Sequence, residues 1–238
     1  FLTKTETDVD IEKSGYLSTI ESEGKVKDIT LESSIHLYTT KPPELRFSKS
    51  QVLCPATFTS PFRYNNELLI KAHANAVKEK YFDQVIEFMQ THLDPNIEKI
   101  EMISDEGESR FMVSSSRINE VVDITKYGEG LQRVFEIALL MVYSKDGVIC
   151  IDEVDSAIHK SLLIEFTKFI QQTAEQFNVQ VFLSTHSKEC IDAFVKNDYH
   201  NDFIRAYALS EVDGEIDCKY IEGSRLEELI DSINFDIR

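Results

Sequence analysis

Two adjacent carboxylates, Asp152 and Glu153, directly follow the apolar run 148–151 (VICI). A strand that is apolar on both faces is typical of the buried middle of a parallel sheet. Ligands of open α/β sheets bind beyond the carboxyl ends of such strands. Carboxylate oxygens suit magnesium, so Asp152 is predicted to hold Mg²⁺ through water and Glu153 to polarise a water that attacks a phosphate. The alternative is a plain acidic pair after a core strand.

A histidine follows the next predicted buried strand, 179–183. That strand ends in Ser184, Thr185 and His186. An amphipathic helix over 162–177 connects the two strands, which predicts a parallel crossover. His186 is therefore expected at the same sheet edge as the carboxylates, where it would contact a terminal phosphate or orient the attacking water. A lone histidine is more often structural, so the interpretation rests on this position.

The segment Gly128-Glu129-Gly130 opens a long helix whose apolar stripe runs from 131 to 142. Glycines let the backbone come close to a ligand, and a helix N-terminus offers free N–H groups to an anion. The alternative is a simple glycine-rich helix start. Arg133, one turn into this helix, is either an additional anion contact or a solvated helix arginine.

These motifs, in this order, resemble those of ABC-type ATPases, including the SMC-like and OLD-like branches and AAA-like ATPases of prokaryotic defence systems. The resemblance matches the glycine segment to the signature motif, Asp152 and Glu153 to the Walker B aspartate and catalytic glutamate, the run 154–159 (VDSAIH) to the D-loop, and His186 to the switch histidine. It implies a P-loop NTPase fold of ABC-ATPase type. Such a fold is α/β, with a mostly parallel sheet, an inserted helical lobe and a C-terminal β-hairpin plus helix.

The resemblance also implies a mechanism that needs ATP, Mg²⁺ and a homodimer. Two cassettes face each other head to tail and sandwich ATP. The glycine segment, with Gly128, Glu129 and Gly130, would act in trans on the partner's nucleotide, whereas the carboxylates and the histidine act in cis. Asp155 and His159 either line the dimer seam or form a polar helix entry.

The sequence departs from the family pattern in three places. Gly128 stands where the signature motif usually has serine. No glutamine is a convincing Q-loop residue, although 52–59 occupies its expected place. No GxxxxGK[ST] motif occurs; the family carries it upstream, and the chain starts at Phe1. The phosphate-binding segment is therefore expected to be absent from this chain, which alone would be inactive.

Three regions are predicted along the chain. Residues 1–60 are expected to be part of the ATPase core, with antiparallel strands at 16–21 and 26–33 around Glu23-Gly24. Residues 61–125 are expected to form a helical lobe, with helices within 66–93 and short strands at 97–103 and 110–113. Residues 126–238 complete the core. There Asp213-Gly214 predicts a hairpin, and Ser224 to Glu227 predict a capping box for the last helix.

Composition restricts the class of protein. The 238 residues include 42 acidic and 25 basic side chains, a formal charge of −17. Phosphate contacts dominate nucleic-acid affinity, so no direct nucleic-acid site is expected. No apolar run reaches 18 residues, which predicts no membrane span. The four cysteines are far apart in sequence and are expected to be buried free thiols in a reducing cytosol.

The function expected from these features is ATP hydrolysis that drives or gates an effector, such as a nuclease, in prokaryotic defence or a DNA-related process. One alternative is a non-hydrolysing regulatory or scaffold module that binds a partner nuclease. A third interpretation, a transporter cassette, fits less well because the full signature motif and a clear Q-loop are lacking.

Overall fold

The computed structural model describes residues 2–4, 16–26, 29–39, 44–47, 54–62, 64–105, 108–212 and 215–233. The chain divides into two compact units, residues 1–53 and 54–238. The first unit contains a four-stranded antiparallel sheet in the order β1-β2-β3-β4. Its strands are β1 (Leu2–Lys4), β2 (Tyr16–Val26), β3 (Ile29–Tyr38) and β4 (Glu44–Phe47).

The predicted turn at Glu23-Gly24 is wrong. Both residues lie inside β2, where Glu23 pairs with Glu32 and Gly24 with Leu31. A glycine can remain within a strand when the cross-strand partners on both sides continue the ladder, as they do here as far as Val26. The connection at residues 27–28 lies outside the described residues.

The second unit is built around a three-stranded parallel sheet in the order β10-β9-β5. These strands are β5 (Ala56–Thr59), β9 (Val148–Ile151) and β10 (Gln180–Leu183). The sheet confirms the α/β class and the central position of the strand before the carboxylates. Strand β5 was not predicted.

The prediction that 179–183 is a buried strand is wrong for most of its length. Strand β10 alternates between exposed and half-buried residues, and the Phe182 side chain is 52% exposed. Because β10 is at the edge of the described sheet, only one of its faces is packed against the core. Leu183 and Val181 lie on that packed face.

The hydrophobic core takes in the long helix Glu129–Tyr143 and both helices of the predicted lobe. The lobe helices are α1 (Asn66–Lys78), which Asn65 caps at its N-terminus, and α2 (Phe82–His92). A short helix α3 (Ile124–Tyr127) precedes α4 (Glu129–Tyr143). The stripe predicted over 131–142 is buried, and so are the residues between its members apart from the half-buried Gln132, because helices pack on several sides of α4.

A three-stranded antiparallel sheet follows the lobe helices, in the order β6-β7-β8. Its strands are β6 (Ile97–Asp105), β7 (Glu108–Ser115) and β8 (Ile118–Asp123). The helices and strands expected within 66–113 are therefore present. The boundaries proposed at 60/61 and 125/126 stay predictions, and the compact unit begins at Cys54.

The C-terminal part contains the expected hairpin and helix. Helix α5 (Leu163–Gln176) joins β9 to β10, and α6 (Lys188–Val195) follows with Ser187 as its N-cap. Strands β11 (Arg205–Val212) and β12 (Glu215–Glu222) pair antiparallel, and α7 spans Gly223–Ile233. The capping box predicted at Ser224 to Glu227 is wrong in position. Helix α7 begins at Gly223, so Ser224 lies within its first turn and not before it.

The cysteines are all free, but the expectation that they are buried holds only for Cys190. Cys54 and Cys150 are half-buried, and Cys218 is exposed on the hairpin. Across the described parts of the chain, no helix combines the length and apolar character needed to span a bilayer.

Candidate functional site

The carboxyl ends of the three parallel strands meet at one edge of the sheet. Thr59, Ile151 and Leu183 are level with one another in the strand register. The ladder continues one step further on each side of β9: the Asp152 N–H donates to the Thr59 carbonyl at 2.9 Å, and the Ser184 N–H donates to the Ile151 carbonyl at 3.0 Å. Asp152 is therefore fixed at the centre of this edge.

Ser184 connects the end of β10 to the Asp152 carboxylate and to the backbone of Glu153. Its hydroxyl donates to Asp152 Oδ1 at 2.7 Å and accepts from the Glu153 N–H at 2.9 Å. The Glu153 backbone has φ +44°, a left-handed conformation that is uncommon for a residue other than glycine. Such conformations cluster at functional sites, where surrounding contacts hold them.

Hydrogen bonds also join the segments that follow these strands. The Thr185 hydroxyl donates to Asp155 Oδ1 at 2.5 Å and accepts from the Ser187 N–H at 3.0 Å. His186 is exposed within the same segment. The structure thus brings the segment that carries His186 alongside the segment with Asp152, Glu153 and Asp155. His159 is exposed at the far end of this turn, and its Nδ1 lies 2.8 Å from Ser161 Oγ.

The two glycines at the start of α4 are required for different reasons. Gly128 has φ +136° with open space around its Cα, so conformation favours glycine there. At Gly130, an added Cβ would lie 2.7 Å from the Ala157 carbonyl oxygen. The structure therefore gives Gly130 a reason that sequence reasoning missed, which is close packing against the turn after the carboxylates.

Arg133 is buried. This corrects both the prediction that it is solvated and the prediction that it contacts an anion. It is 4% exposed beneath the carboxylate edge. Its Nη1 donates to Thr59 Oγ1 at 2.8 Å and lies 3.3 Å from Glu136 Oε2, and its Nη2 donates to the Asp152 carbonyl at 2.8 Å. The Thr59 hydroxyl donates in turn to Glu136 Oε1 at 2.7 Å. Arg133 therefore ties α4 to β5 and β9.

Burial and pairing act in opposite directions on this buried ion pair. Desolvation raises the pKa of Glu136, whereas the Thr59 hydroxyl and Arg133 lower it. Desolvation has the opposite effect on the cation: it lowers the pKa of Arg133, and Glu136 opposes that shift. A guanidinium stays protonated in proteins, so the positive charge persists beneath the two carboxylates. Glu136 and Thr59 were absent from the predicted site, and Arg133 was named only as an anion contact or a solvated residue.

The carboxylates at this edge of the sheet suit Mg²⁺ better than a metal ion whose ligands all come from protein side chains. No three His, Cys, Asp or Glu side chains converge within the described residues. Magnesium keeps several waters and binds through one or two carboxylates together with phosphates, which Asp152 and Glu153 can accommodate. Nearby Cys190 is not a candidate thiolate ligand, because burial raises the pKa of its thiol to about 12.

The comparison with protein families agrees with this geometry. The profile of the AAA ATPase domain family matches residues 18–191, which is most of the chain and includes the glycine segment, the carboxylates and the histidine. The chain belongs to the AAA ATPase domain family. The ATPase class predicted from the motifs is confirmed at this level.

Two curated relatives match parts of this AAA ATPase chain. An ATP/GTP phosphatase of Helicobacter pylori is 26% identical over 151 residues, which is 61% of the chain and 41% of the relative. An uncharacterized protein of Methanocaldococcus jannaschii is 30% identical over 112 residues, 47% of the chain and 98% of the relative. The chain thus spans about two fifths of the length of the Helicobacter phosphatase.

Among solved structures, an SMC head bound to the C-winged helix domain of ScpA superimposes with a TM-score of 0.50. The superposition covers 86% of this chain and 73% of the SMC chain, and the two sequences are 11% identical. At this identity the similarity concerns the fold alone. It supports the predicted SMC-like P-loop NTPase architecture.

Proposed function

We propose that this chain supplies the carboxylate side of an ATP-hydrolysing centre. Asp152 would hold Mg²⁺, Glu153 would orient and polarise the attacking water, and His186 would contact the terminal phosphate or orient that water. The observation that carries the proposal is the strained Glu153 backbone, held by hydrogen bonds at the carboxyl edge of a parallel sheet. Mg²⁺, when bound, supplies positive charge that stabilises the phosphate oxygens.

The phosphate-binding loop would come from a segment outside these 238 residues. The sequence contains no GxxxxGK[ST] motif, and, as far as the described residues go, one face of the parallel sheet is exposed at both of its outer strands. Phe58, Cys150 and Phe182 form a row across β5, β9 and β10 on that face, and both phenylalanines are more than half exposed. Parallel sheets are ordinarily covered on both faces. A phosphate-binding element that covers this row would reach the edge that carries Asp152.

A head-to-tail homodimer would complete the nucleotide site. Gly128 and Glu129 are exposed at the N-terminus of α4, and no side chain caps that end. Backbone N–H groups at such an end suit a phosphate, so Gly128, Glu129 and Gly130 would cover the partner's ATP through their backbone. Asp155 would contribute indirectly, because Thr185 already occupies one of its oxygens. In the whole protein, hydrolysis would drive or gate an effector such as a nuclease in prokaryotic defence.

The test is Glu153→Gln in the protein that joins this chain to its phosphate-binding segment. We expect ATP affinity within about threefold of wild type and turnover lowered about 10²–10⁴-fold, since general-base contributions are of that size. The variant should also accumulate as a nucleotide-bound dimer, measured by light scattering. Glu165→Gln, an exposed acid in the first turn of α5, is the matched control. Wild-type turnover by Glu153→Gln would remove Glu153 from this role.

A further inference from the structure

Ser184 is the first residue after β10 and lies beside Asp152, the first residue after β9. Sequence reasoning used this segment only for His186. The structure gives Ser184 four hydrogen bonds to the stretch 151–154. Two are made by its backbone, from its N–H to the Ile151 carbonyl at 3.0 Å and to its carbonyl from the Val154 N–H at 3.1 Å.

The other two bonds are made by one hydroxyl group. It donates its proton to Asp152 Oδ1 at 2.7 Å, and its oxygen accepts the Glu153 N–H at 2.9 Å. A hydroxyl has one proton and two lone pairs, so both bonds form at once. The first restricts the orientation of the Asp152 carboxylate. The second holds the peptide that places Glu153 in its left-handed conformation, φ +44°.

We propose that Ser184 is the positioning residue of this centre, since its hydroxyl orients the Asp152 carboxylate and holds the backbone that carries Glu153. The proposal deepens the proposed ATPase function and rests on it. Without the hydroxyl, Glu153 loses the bond that opposes relaxation towards an ordinary backbone conformation. Asp152 in turn gains rotational freedom. The two backbone bonds of Ser184 do not depend on its side chain, so strand pairing persists when the hydroxyl is removed.

The kinetic test compares Ser184→Ala and Ser184→Thr in the protein that joins this chain to its phosphate-binding segment. Loss of a partner that orients a metal-binding carboxylate costs about 10–100-fold in metal affinity or activity. We therefore expect Ser184→Ala to lower kcat or raise the half-saturating Mg²⁺ concentration by about that factor, with ATP affinity unchanged. Ser184→Thr keeps the hydroxyl at an exposed position and should restore most of the rate. The control is Ser232→Ala, which removes an exposed hydroxyl from α7.

A second measurement needs no turnover. Amide hydrogen exchange at Glu153 should be about tenfold or more faster in Ser184→Ala, whereas Val154, bonded to the Ser184 carbonyl, keeps its rate and reports that the strands still pair. Unchanged Glu153 exchange, or a kcat and a half-saturating Mg²⁺ concentration of Ser184→Ala that are both within about twofold of wild type, would overturn the proposal. If the wild-type protein hydrolyses no ATP, the proposed function fails, and the exchange rates alone decide whether Ser184 positions Glu153.

Discussion

Replacement of Arg133 by methionine tests how strongly the buried ion pair supports the fold. The change leaves Glu136, 6% exposed, with Thr59 as its remaining hydrogen-bond donor. Removing one partner of a buried pair leaves a charge without compensation, at a cost of about 3–5 kcal/mol. Desolvation already raises the pKa of Glu136, so without Arg133 part of that cost would appear as protonation of Glu136 on folding.

The magnitude can be read from thermal unfolding. A change of 1 kcal/mol shifts Tm by about 2–4 °C in a domain of 150–250 residues, so Arg133→Met should lower Tm by roughly 6–20 °C. Circular dichroism of the helices is a suitable signal, because every helix described lies within residues 54–238. No described group accepts a hydrogen bond from the buried Arg133 Nε, so part of the arginine's desolvation is uncompensated even in the wild type.

A double substitution separates the ion pair from simple loss of packing. Arg133→Met combined with Glu136→Leu removes both charges, and replacement of a buried pair by apolar residues is often neutral. The double variant should therefore recover most of the lost stability. The chain also offers a matched pair at the same i,i+3 spacing, Arg225 and Glu228, whose side chains are 59% and 66% exposed. Arg225→Met should change stability by less than about 1 kcal/mol.

Two outcomes would refute this reasoning. A Tm shift for Arg133→Met no larger than that for Arg225→Met would mean that burial adds nothing to the pair. A double variant whose loss equals the sum of the two single losses would mean that Arg133 and Glu136 are not energetically coupled.

Two further predictions concern other parts of the second unit. Gly130→Ala places a Cβ 2.7 Å from the Ala157 carbonyl oxygen. The clash with backbone should lower the free energy of unfolding, measured in urea, by about 1–3 kcal/mol. Wild-type stability of this variant would show that the turn at Ala157 moves without cost. His73 is in edge contact with the rings of Phe82 and Phe111, and burial lowers its pKa below the usual 6.5. The unfolded chain therefore binds this proton more readily than the folded chain does. The contribution of neutral His73 to the stability of the fold is complete above about pH 6.5 and is lost as the pH falls through the lowered pKa. His73→Phe should flatten the pH dependence of Tm in that range, and an unchanged slope would contradict the assignment.

The chemistry-bearing ends of the strands could be predicted because their pattern is local. An apolar run followed at once by polar side chains identifies both the strand and its functional end, as at Asp152 and at His186. Helices α4 and α5 follow from their apolar periodicity in the same way. The order strand, helix, strand then determines that both ends meet at one edge.

The missed residues are those whose roles depend on distant contacts. Strand β5 has four residues, too few for a periodic pattern, and its pairing partner β9 lies far along the chain. The Glu23-Gly24 turn failed because cross-strand pairing outweighed a local turn preference. A signal for the Arg133 network was nevertheless present: Arg133 and Glu136 are the only charged residues between 131 and 142. Two opposite charges one turn apart in an otherwise apolar helix indicate a buried pair.

The same contacts join the start of α4, which carries the glycine segment, to the carboxylate edge of the same chain. Near its start, α4 meets the turn after Glu153 through Gly130, whose missing side chain admits the Ala157 carbonyl. One turn later, Arg133 reaches the Asp152 carbonyl from beneath. Two contacts on adjacent turns fix both the rotation and the axial position of the helix relative to β9. The backbone of the glycine segment and the backbone of Asp152 are thus held by the same helix, so a shift of α4 would displace both.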